Sequence, residues 1–186
     1  EEGDVVLDLC AAPGGKTTQL AARLNGTGLL VANDISAGRA KTLLKNVELM
    51  GIRNAIVMSE TPDKIADRLP AFFDKILVDA PCSGEGMFRK EPDMVKSWDE
   101  KMLEFCQTEQ AKILEACAPM LKEGGMLLYS TCTFSPEENE KSIGDFLETH
   151  PEFELVEIPK ENGFVKGLAP FEACARLYPH KLQGEG

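Results

Sequence analysis

Residues 5–17 read Val5-Val6-Leu7-Asp8-Leu9-Cys10-Ala11-Ala12-Pro13-Gly14-Gly15-Lys16-Thr17, a short apolar run followed by a turn of small residues. The apolar run predicts a buried strand, and the spacing from Lys16 to Leu24 predicts a helix after the turn. Small residues between a strand and a helix let a ligand approach the backbone closely. This stretch therefore predicts a strand-loop-helix unit with a candidate binding loop, although a tight turn without a ligand has the same spacing.

The same alternation continues along the chain. Further strands are predicted at 28–33, 54–58, 72–78, 126–130 and 153–158, and further helices at 36–50, 62–69, about 100–121 and 136–150. The apolar stripe of the helix at 36–50 comprises Ala40, Leu43, Leu44, Val47 and Met50. Gly124-Gly125 is expected to break the helix that precedes the strand at 126–130. Alternating strands and helices predict one α/β domain, with a mostly parallel sheet and helices on both faces.

Residues suited to chemistry come where predicted strands end. In parallel sheets, ligands bind beyond the carboxyl ends of the strands, near the point where the strand order reverses. The candidates there are Cys10 to Lys16, Asp34, Asp79 to Cys82, and Thr131-Cys132. Their convergence on one edge indicates a binding and catalytic site more strongly than any single motif.

The loop after the first strand does not match the common phosphate-binding motifs. A P-loop needs a glycine where Cys10 stands, and the dinucleotide pattern Gly-x-Gly-x-x-Gly is absent. Asp34 ends the second strand, where an acidic side chain in nucleotide-binding folds accepts hydrogen bonds from ribose hydroxyls. A solvated aspartate at a helix entry is the alternative for Asp34 alone. Together with the loop, the pattern favours a nucleoside-containing cofactor.

Two cysteines lie in unusual turns. Cys82 follows Asp79-Ala80-Pro81, and Cys132 follows Ser130-Thr131 just before a predicted helix start, where the helix dipole favours a thiolate. Either cysteine alone is compatible with a buried structural thiol. Two at the ends of adjacent strands indicate reactive groups.

The remaining features are interpreted as packing, capping or surface residues without a part in catalysis. Cys106 and Cys117, inside a long predicted helix, are expected to be packing residues. Ser135 to Glu138 has the pattern of a capping box, residues 137–140 are expected to be a solvated helix start, and His150 a surface residue. The six cysteines show no Cys-x-x-Cys spacing, so we expect neither a zinc site nor disulfides.

Charge and composition limit the partners. Hydrophobic residues make up 43% of the 186 residues, which is typical of a soluble protein, and no apolar run is long enough to span a bilayer. No signal peptide precedes the first strand, so a cytoplasmic protein is expected. The net charge of −11 is a poor match to a polyanion. The abrupt ends lead us to expect a truncated chain, with basic surface supplied elsewhere.

The motifs resemble those of the Nop/Sun-type RNA (cytosine-5) methyltransferases, most closely the bacterial branch that modifies ribosomal RNA. The resemblance runs from Asp8 through Gly186. It rests on four segments: 10–16, Asp79-Ala80-Pro81-Cys82-Ser83-Gly84, Ser130-Thr131-Cys132-Thr133 with Pro136-Glu137-Glu138-Asn139-Glu140, and the closing 176–180 with Gly184-Glu185-Gly186. It implies a Rossmann-like S-adenosylmethionine-dependent methyltransferase fold.

The resemblance also implies roles for individual residues. Those expected to hold S-adenosylmethionine are Cys10, Ala11, Ala12, Pro13, Gly14, Gly15, Lys16 and Asp34. Asp79 would also bind the cofactor and would lie between it and the target base. Cys132 would be the nucleophile, and Cys82 would assist release of the methylated product. Many members carry an aspartate after the third strand that contacts the adenine amine. Here the segment reads Ser59-Glu60-Thr61-Pro62, and that contact stays unassigned.

By the same resemblance, residues 1–186 form the catalytic domain, with the last sheet strand and flanking RNA-binding modules outside it. The expected partner is RNA, ribosomal rather than transfer RNA, with no metal and no membrane, and the expected state is a monomer. Three alternatives stay open: a methyltransferase acting on DNA cytosine or on protein, a non-catalytic RNA-binding or assembly factor, and a P-loop nucleotidase. Pro81-Cys82 also fits a DNA enzyme, whereas the second cysteine, Cys132, favours RNA. Intact Asp79, Cys82 and Cys132 argue against a non-catalytic factor.

Overall fold

Five parallel strands form one sheet in the computed structural model of the chain, which describes residues 1–181. They are β1 (Val5–Asp8), β2 (Leu29–Asn33), β3 (Ala55–Met58), β4 (Phe73–Asp79) and β5 (Leu121–Ser130). Their order in the sheet is β3-β2-β1-β4-β5. This is the Rossmann-like order, and it reverses between β1 and β4. The predicted α/β class with a parallel sheet is confirmed.

Six α-helices flank and follow these strands in the described residues. They are α1 (Gly15–Leu24), α2 (Ala37–Leu49), α3 (Pro62–Arg68), α4 (Met94–Ser97), α5 (Glu100–Cys117) and α6 (Ser142–Thr149). Short 3-10 turns occupy Glu85–Met87 and Ala118–Met120, and a π-helical turn occupies Glu137–Lys141. Two short strands, β6 (Val165–Lys166) and β7 (Ala175–Arg176), pair in antiparallel fashion.

The chain divides into two compact units. The first comprises residues 1–80 and 113–130 and contains the whole five-stranded sheet. Its core contains Leu7 and Leu30 from neighbouring strands and Leu43 from α2, all fully buried. The second comprises residues 81–112 and the chain from residue 131 onward, including α6 and the β6–β7 hairpin.

The apolar stripe predicted for α2 is narrower in the structure. Ala40, Leu43 and Val47 are buried, but Leu44 is 44% exposed and Met50 is 69% exposed. At 3.6 residues per turn, Leu44 is rotated off the face shared by the three buried residues. Met50 lies beyond the last helical residue and caps the helix end.

The helix predicted to end at Gly124-Gly125 ends earlier. Residue 118 precedes Pro119, and the residue before a proline disfavours helical geometry, so α5 stops at Cys117. Both glycines lie inside β5, where the pairing with β4 shifts register between Phe73 and Lys75. Gly124 has φ +74°, and a Cβ on Gly125 would lie 3.1 Å from the carbonyl oxygen of Asp74. The glycines therefore permit a bulge rather than a helix stop.

The predicted helix at 136–150 and strand at 153–158 are also corrected. The first begins as the π-helical turn and becomes α-helical at Ser142. No strand forms at 153–158, where residues 154–157 are exposed. A single extended segment cannot pair its own backbone groups. The Phe153 N–H donates to the carbonyl of His150, and the Ile158 N–H donates to the carbonyl of Ala173. His150 packs on Phe146 and Phe153, with 18% of its side chain exposed, so it is not a plain surface residue.

Two further expectations concern the ends and the surface. Gly184-Glu185-Gly186, which contributed to the family resemblance, lies outside the described residues. Within residues 1–181, no helix has both the length and the apolar character needed to cross a membrane.

Candidate active site

The loop from Cys10 to Lys16, here called the glycine loop, joins β1 to α1. Gly14 has φ +113°, and a Cβ there would lie 3.1 Å from the Cδ1 atom of Leu43, so only glycine fits without strain. A Cβ on Gly15 would meet no atom within 4 Å, which leaves open space beside the backbone. The first N–H groups of α1 lack partners within the helix, and no side chain caps them. The loop can therefore present backbone donors to a ligand.

Neighbouring elements of the first unit hold the glycine loop in place. The Ala11 N–H donates to the carbonyl of Asn33 at 2.8 Å, and the side-chain amide of Asn46 donates to the carbonyl of Pro13 at 2.7 Å. The Arg39 guanidinium donates to the carbonyl of Ala12 at 2.8 Å. These bonds tie the loop to β2 and α2, so its conformation does not depend on local turn preferences alone.

Asp34 follows the last residue of β2 and is only 2% exposed. One carboxylate oxygen accepts from the Ser36 N–H at 3.0 Å, and the other lies 3.2 Å from the Arg39 guanidinium. Each carboxylate oxygen has a second lone pair, so both can still accept a hydrogen bond. The structure thus places Asp34 beside the element that also holds the glycine loop.

Asp79 ends β4 and joins three parts of the first unit. Its Oδ2 atom accepts from the Lys16 ammonium at 2.6 Å, and its Oδ1 atom accepts from the Ser130 hydroxyl at 2.9 Å. The side chains of Asp79 and Lys16 are 38% and 46% exposed, so the pair faces solvent. The structure therefore brings the glycine loop and the predicted catalytic carboxylate together.

Asp8 is a functional candidate that the sequence interpretation missed. Its carboxyl group is fully buried; Oδ2 accepts from the Thr17 hydroxyl at 2.6 Å, whereas Oδ1 has no hydrogen-bond partner. Burial raises its pKa to about 6, although the bond from Thr17 opposes the shift. Because Asp8 lies within an apolar strand, the sequence pattern gave it no separate role. The only signal in the sequence was a carboxyl group among apolar residues.

Cys10 is present in the glycine loop but is not poised as a nucleophile. Burial raises its pKa to about 12, with further contributions from Asp34, Asp8 and Asp79. A thiol with that pKa remains protonated at neutral pH. The geometry therefore leaves Cys10 to a binding or packing role.

Asn33 holds the segment after β3, to which the sequence assigns no adenine contact. The side chain of Asn33 accepts from the Glu60 N–H at 2.9 Å and donates to the Glu60 carbonyl at 3.0 Å. The Glu60 carboxylate accepts from the Thr61 N–H at 3.0 Å and from the Lys64 ammonium at 2.9 Å. The Glu60 carboxylate thus bonds to the first turn of α3.

In the second unit, Cys82 and Cys132 form a pair. Their Sγ atoms are 3.3 Å apart, and the Cys132 N–H donates to the Cys82 sulfur at 3.4 Å. The hydrogen bond with Cys132, followed by burial, raises the pKa of the Cys82 thiol well above its ordinary value. Both side chains are only partly buried, so a ligand can reach them. By contrast, Cys106 and Cys117 are buried, which confirms their predicted packing role.

Residues 137–140 are not the solvated helix start that the sequence predicted. Glu138 is fully buried, and Glu140 is 9% exposed. Ser135 caps the segment as expected, since its hydroxyl accepts from the Glu138 N–H at 3.3 Å. However, the Glu138 carboxylate accepts from Ser83 instead of closing the capping box. The sequence pattern predicted solvated side chains here because the hydrogen-bond donors that satisfy the buried carboxylates are far away in the sequence.

Glu140 forms a buried ion pair with Arg176 of β7. The guanidinium donates to both carboxylate oxygens, and its third nitrogen donates to the Phe134 carbonyl at 2.9 Å. Arg176 lowers the pKa of Glu140, although burial, the largest influence, opposes it. This pair fastens the β6–β7 hairpin to the segment that follows Cys132.

The predicted site residues thus fall into two groups. The glycine loop, Asp34 and Asp79 come together in the first unit, and Cys82 and Cys132 come together in the second. Within residues 1–181, no group of three or more His, Cys, Asp or Glu side chains could hold a metal ion.

The chain matches known proteins over its whole length. The family model described as 16S rRNA methyltransferase RsmB/F matches residues 1–186. A curated relative, Ribosomal RNA small subunit methyltransferase F from Vibrio cholerae serotype O1 (strain M66-2), is 45% identical over 147 residues. That alignment covers 79% of this chain and 31% of the relative. The chain thus spans about a third of the length of that relative.

Solved structures agree with these matches. The crystal structure of PH0851 is 37% identical with a TM-score of 0.92, covering 97% of this chain and 40% of that one. The structure of NSun6 from Pyrococcus horikoshii with SFG is 32% identical with a TM-score of 0.80, covering 96% of this chain and 44% of that one. A SAM-dependent methyltransferase from Aquifex aeolicus, 20% identical with a TM-score of 0.55, covers 86% of this chain and 79% of its own and shares the fold. The predicted Rossmann-like methyltransferase fold is confirmed.

Proposed function

This chain belongs to the 16S rRNA methyltransferase RsmB/F family, and from that premise we propose that it transfers a methyl group from S-adenosylmethionine to C5 of a cytosine in ribosomal RNA. The paired sulfur atoms of Cys82 and Cys132, 3.3 Å apart, are the observation that carries the proposal. In this proposal residues 1–186 are the catalytic domain that binds the cofactor.

Cytosine C5 is too weak a nucleophile to take a methyl group unaided. Addition of a thiolate at C6 makes C5 electron-rich, and C5 can then attack the methyl carbon. Loss of the C5 proton and breaking of the C6–S bond restore the aromatic ring. The reaction therefore needs a soft nucleophile, a group that stabilises charge on the ring and a base that takes the proton.

Cys132 is proposed as the nucleophile and Cys82 as the thiol that assists release. In this proposal Cys82 keeps its proton and donates a hydrogen bond to the sulfur of Cys132 across the 3.3 Å contact. Two thiolates at this distance would repel each other, so a protonated Cys82 favours the thiolate on Cys132. Once Cys132 carries the base, Cys82 remains beside the sulfur that must leave.

The cofactor proposal rests on the first unit. The open space beside Gly15, the uncapped start of α1 and the buried carboxylate of Asp34 fit a ligand with a carboxylate and a ribose. In this proposal the glycine loop and Asp34 bind S-adenosylmethionine, which supplies an electrophilic methyl group. SFG, bound in the similar NSun6 structure, is an analogue of that cofactor. Asp79 is proposed to face the target base and stabilise its charge.

Base mapping in cells tests this proposal. Ribosomal RNA from a strain that lacks the complete protein is compared, by bisulfite sequencing, with RNA from the same strain carrying either the wild-type gene or Cys132→Ser. We expect one cytosine in 16S rRNA to lose its methyl group in the deletion strain and to regain it only with the wild-type gene. Unchanged methylation of every 16S rRNA cytosine in the deletion strain would contradict the proposal.

A further inference from the structure

We propose that Glu138 is a positioning residue. Through hydrogen bonds on both sides of Cys82, it holds the loop formed by Pro81, Cys82 and Ser83 next to Cys132. The functional part of this inference, its effect on methylation, rests on the proposed function. The geometric part, its control of the distance between the two sulfur atoms, does not.

The Glu138 carboxylate is fully buried and accepts three hydrogen bonds from distant residues. The Ser83 N–H donates to Oε1 at 2.9 Å, and the Ser83 hydroxyl donates to Oε2. The Gln110 side-chain amide also donates to Oε1, at 2.9 Å. Bonds to an ionised acceptor are about twice as strong as neutral ones, and a buried carboxylate that loses its donors is strongly destabilised. Ser83 and Gln110 therefore both bind to one carboxylate, that of Glu138.

These hydrogen bonds fix the residues on either side of Cys82. Gln110 uses the same amide nitrogen to donate to the carbonyl of Pro81 at 2.8 Å. Ser83 is held directly by Glu138, so the backbone is fixed one residue before and one residue after the thiol. A side chain whose flanking peptides are both anchored has little freedom to move its Sγ atom.

The same network reaches the residue after Cys132. The hydroxyls of Ser83 and Thr133 lie 3.0 Å apart, and both residues are buried. In addition, the Gly86 N–H donates to the carbonyl of Cys132 at 2.8 Å. The segments around the two cysteines are thus joined through Ser83 and Thr133, the residues that follow Cys82 and Cys132. The Glu138 carboxylate is the acceptor at the centre of this network.

Glu137 provides a matched control for Glu138. It is the preceding residue and carries the same functional group, but it is exposed and its carboxylate accepts from the Ser135 hydroxyl at 2.8 Å. Glu138→Gln replaces one acceptor oxygen by an NH2 group that faces donors. Glu137→Gln makes the same chemical change on an exposed carboxylate whose partner is Ser135 rather than Ser83 or Gln110. Thr133→Val, which replaces one hydroxyl by a methyl group, is a milder second variant if Glu138→Gln folds poorly.

The geometric test is cross-linking of the two thiols by diamide in the complete protein. Each disulfide formed releases two electrons and two protons, which reduce the diazene to a hydrazine, and peptide mapping under non-reducing conditions quantifies the Cys82–Cys132 bond. We expect Glu138→Gln to slow cross-linking by about 10-fold or more and Thr133→Val by less, because a displacement near 1 Å has effects of about 100-fold on proximity-dependent reactions. Glu137→Gln should match the wild type.

The functional test measures the methylation activity of the same variants, at steady state for kcat and KM and in a single turnover for the covalent adduct. We expect Glu138→Gln to lower kcat with little change in KM for S-adenosylmethionine, and to alter the ratio of covalent RNA adduct to released product. Cross-linking at the wild-type rate in both Glu138→Gln and Thr133→Val would overturn the inference, whatever their activity. Slowed cross-linking supports it even if Cys132→Ala keeps full methylation, an outcome that would instead refute the proposed function.

Discussion

The Sγ atoms of Cys82 and Cys132 lie 3.3 Å apart, and the Cys132 N–H also donates to the Cys82 sulfur. Two thiolates cannot coexist at that distance without strong repulsion, so one of the pair keeps its proton. The hydrogen bond with Cys132, followed by burial, raises the pKa of the Cys82 thiol. In the proposed mechanism Cys82 is the partner that keeps its proton, so separate substitutions of the two cysteines should have different effects.

Cys132→Ala should abolish methylation, lowering the rate by about 1,000-fold or more, because no thiolate remains to activate C5. The measurement is transfer of labelled methyl to RNA, together with denaturing electrophoresis for a covalent adduct. Cys174→Ala, which removes a partly buried thiol outside the pair, serves as the control and should keep wild-type activity. Methylation retained by Cys132→Ala would contradict its role as nucleophile.

Cys82→Ala should still attack the base and accept the methyl group, but it should stall before release. A protein–RNA complex that resists denaturing electrophoresis should then accumulate, and the double variant with Cys132→Ala should lose it. The reverse pattern, with adducts in Cys132→Ala and none in Cys82→Ala, would exchange the two roles. Activity without adducts in both single variants would rule out the covalent mechanism.

Asp34→Ala should weaken binding of S-adenosylmethionine by about 10-fold to 100-fold, because it removes the buried carboxylate that we propose accepts hydrogen bonds from the ribose hydroxyls. Calorimetry on the complete protein measures this directly, with Asp67→Ala as a control on the exposed side of α3. ATP should not bind, since Cys10 occupies the position where a P-loop requires glycine. Tight ATP binding without S-adenosylmethionine binding would overturn the cofactor assignment.

Asp8 should make stability depend on pH. Its folded-state pKa of about 6 lies above the ordinary 3.8, so folding takes up a proton between these values. The stabilisation is complete below the lower value and is lost as pH rises through the upper one, by up to about 3 kcal/mol. The free energy of unfolding of the wild type relative to Asp8→Asn should therefore fall between about pH 4 and about pH 7. Urea titrations check this; an unchanged difference, like that expected for exposed Asp67→Asn, would contradict the burial argument.

The 186-residue chain by itself should bind RNA weakly and with a strong dependence on salt. Its net charge of −11 opposes association with a polyanion, so contacts depend on local basic groups. Fluorescence anisotropy with a labelled ribosomal RNA fragment at several salt concentrations measures both quantities. Submicromolar affinity at physiological salt would show that these residues carry a complete RNA-binding surface.

The sequence by itself determined the α/β class, the succession of most strands and helices along the chain, and the positions of the candidate groups in it. Hydrophobic periodicity and turn residues act over a few positions, so the strand before the glycine loop and the carboxylates Asp34 and Asp79 could be placed from local pattern. The same reasoning was wrong at 153–158, where a pattern suited to a strand has no strand to pair with among residues 1–181.

Only the tertiary structure decided which of these groups meet and how each is charged. Cys82 and Cys132 are 50 residues apart in sequence, and Ser83 and Glu138 are 55 apart. The local sequence pattern predicted that Glu138 is solvated. An acidic side chain is buried only where hydrogen-bond donors satisfy it, and here those donors are distant in sequence. The raised pKa values of the Asp8 carboxyl and the Cys82 thiol likewise follow from desolvation and from neighbours brought close by folding, which no local stretch of sequence encodes.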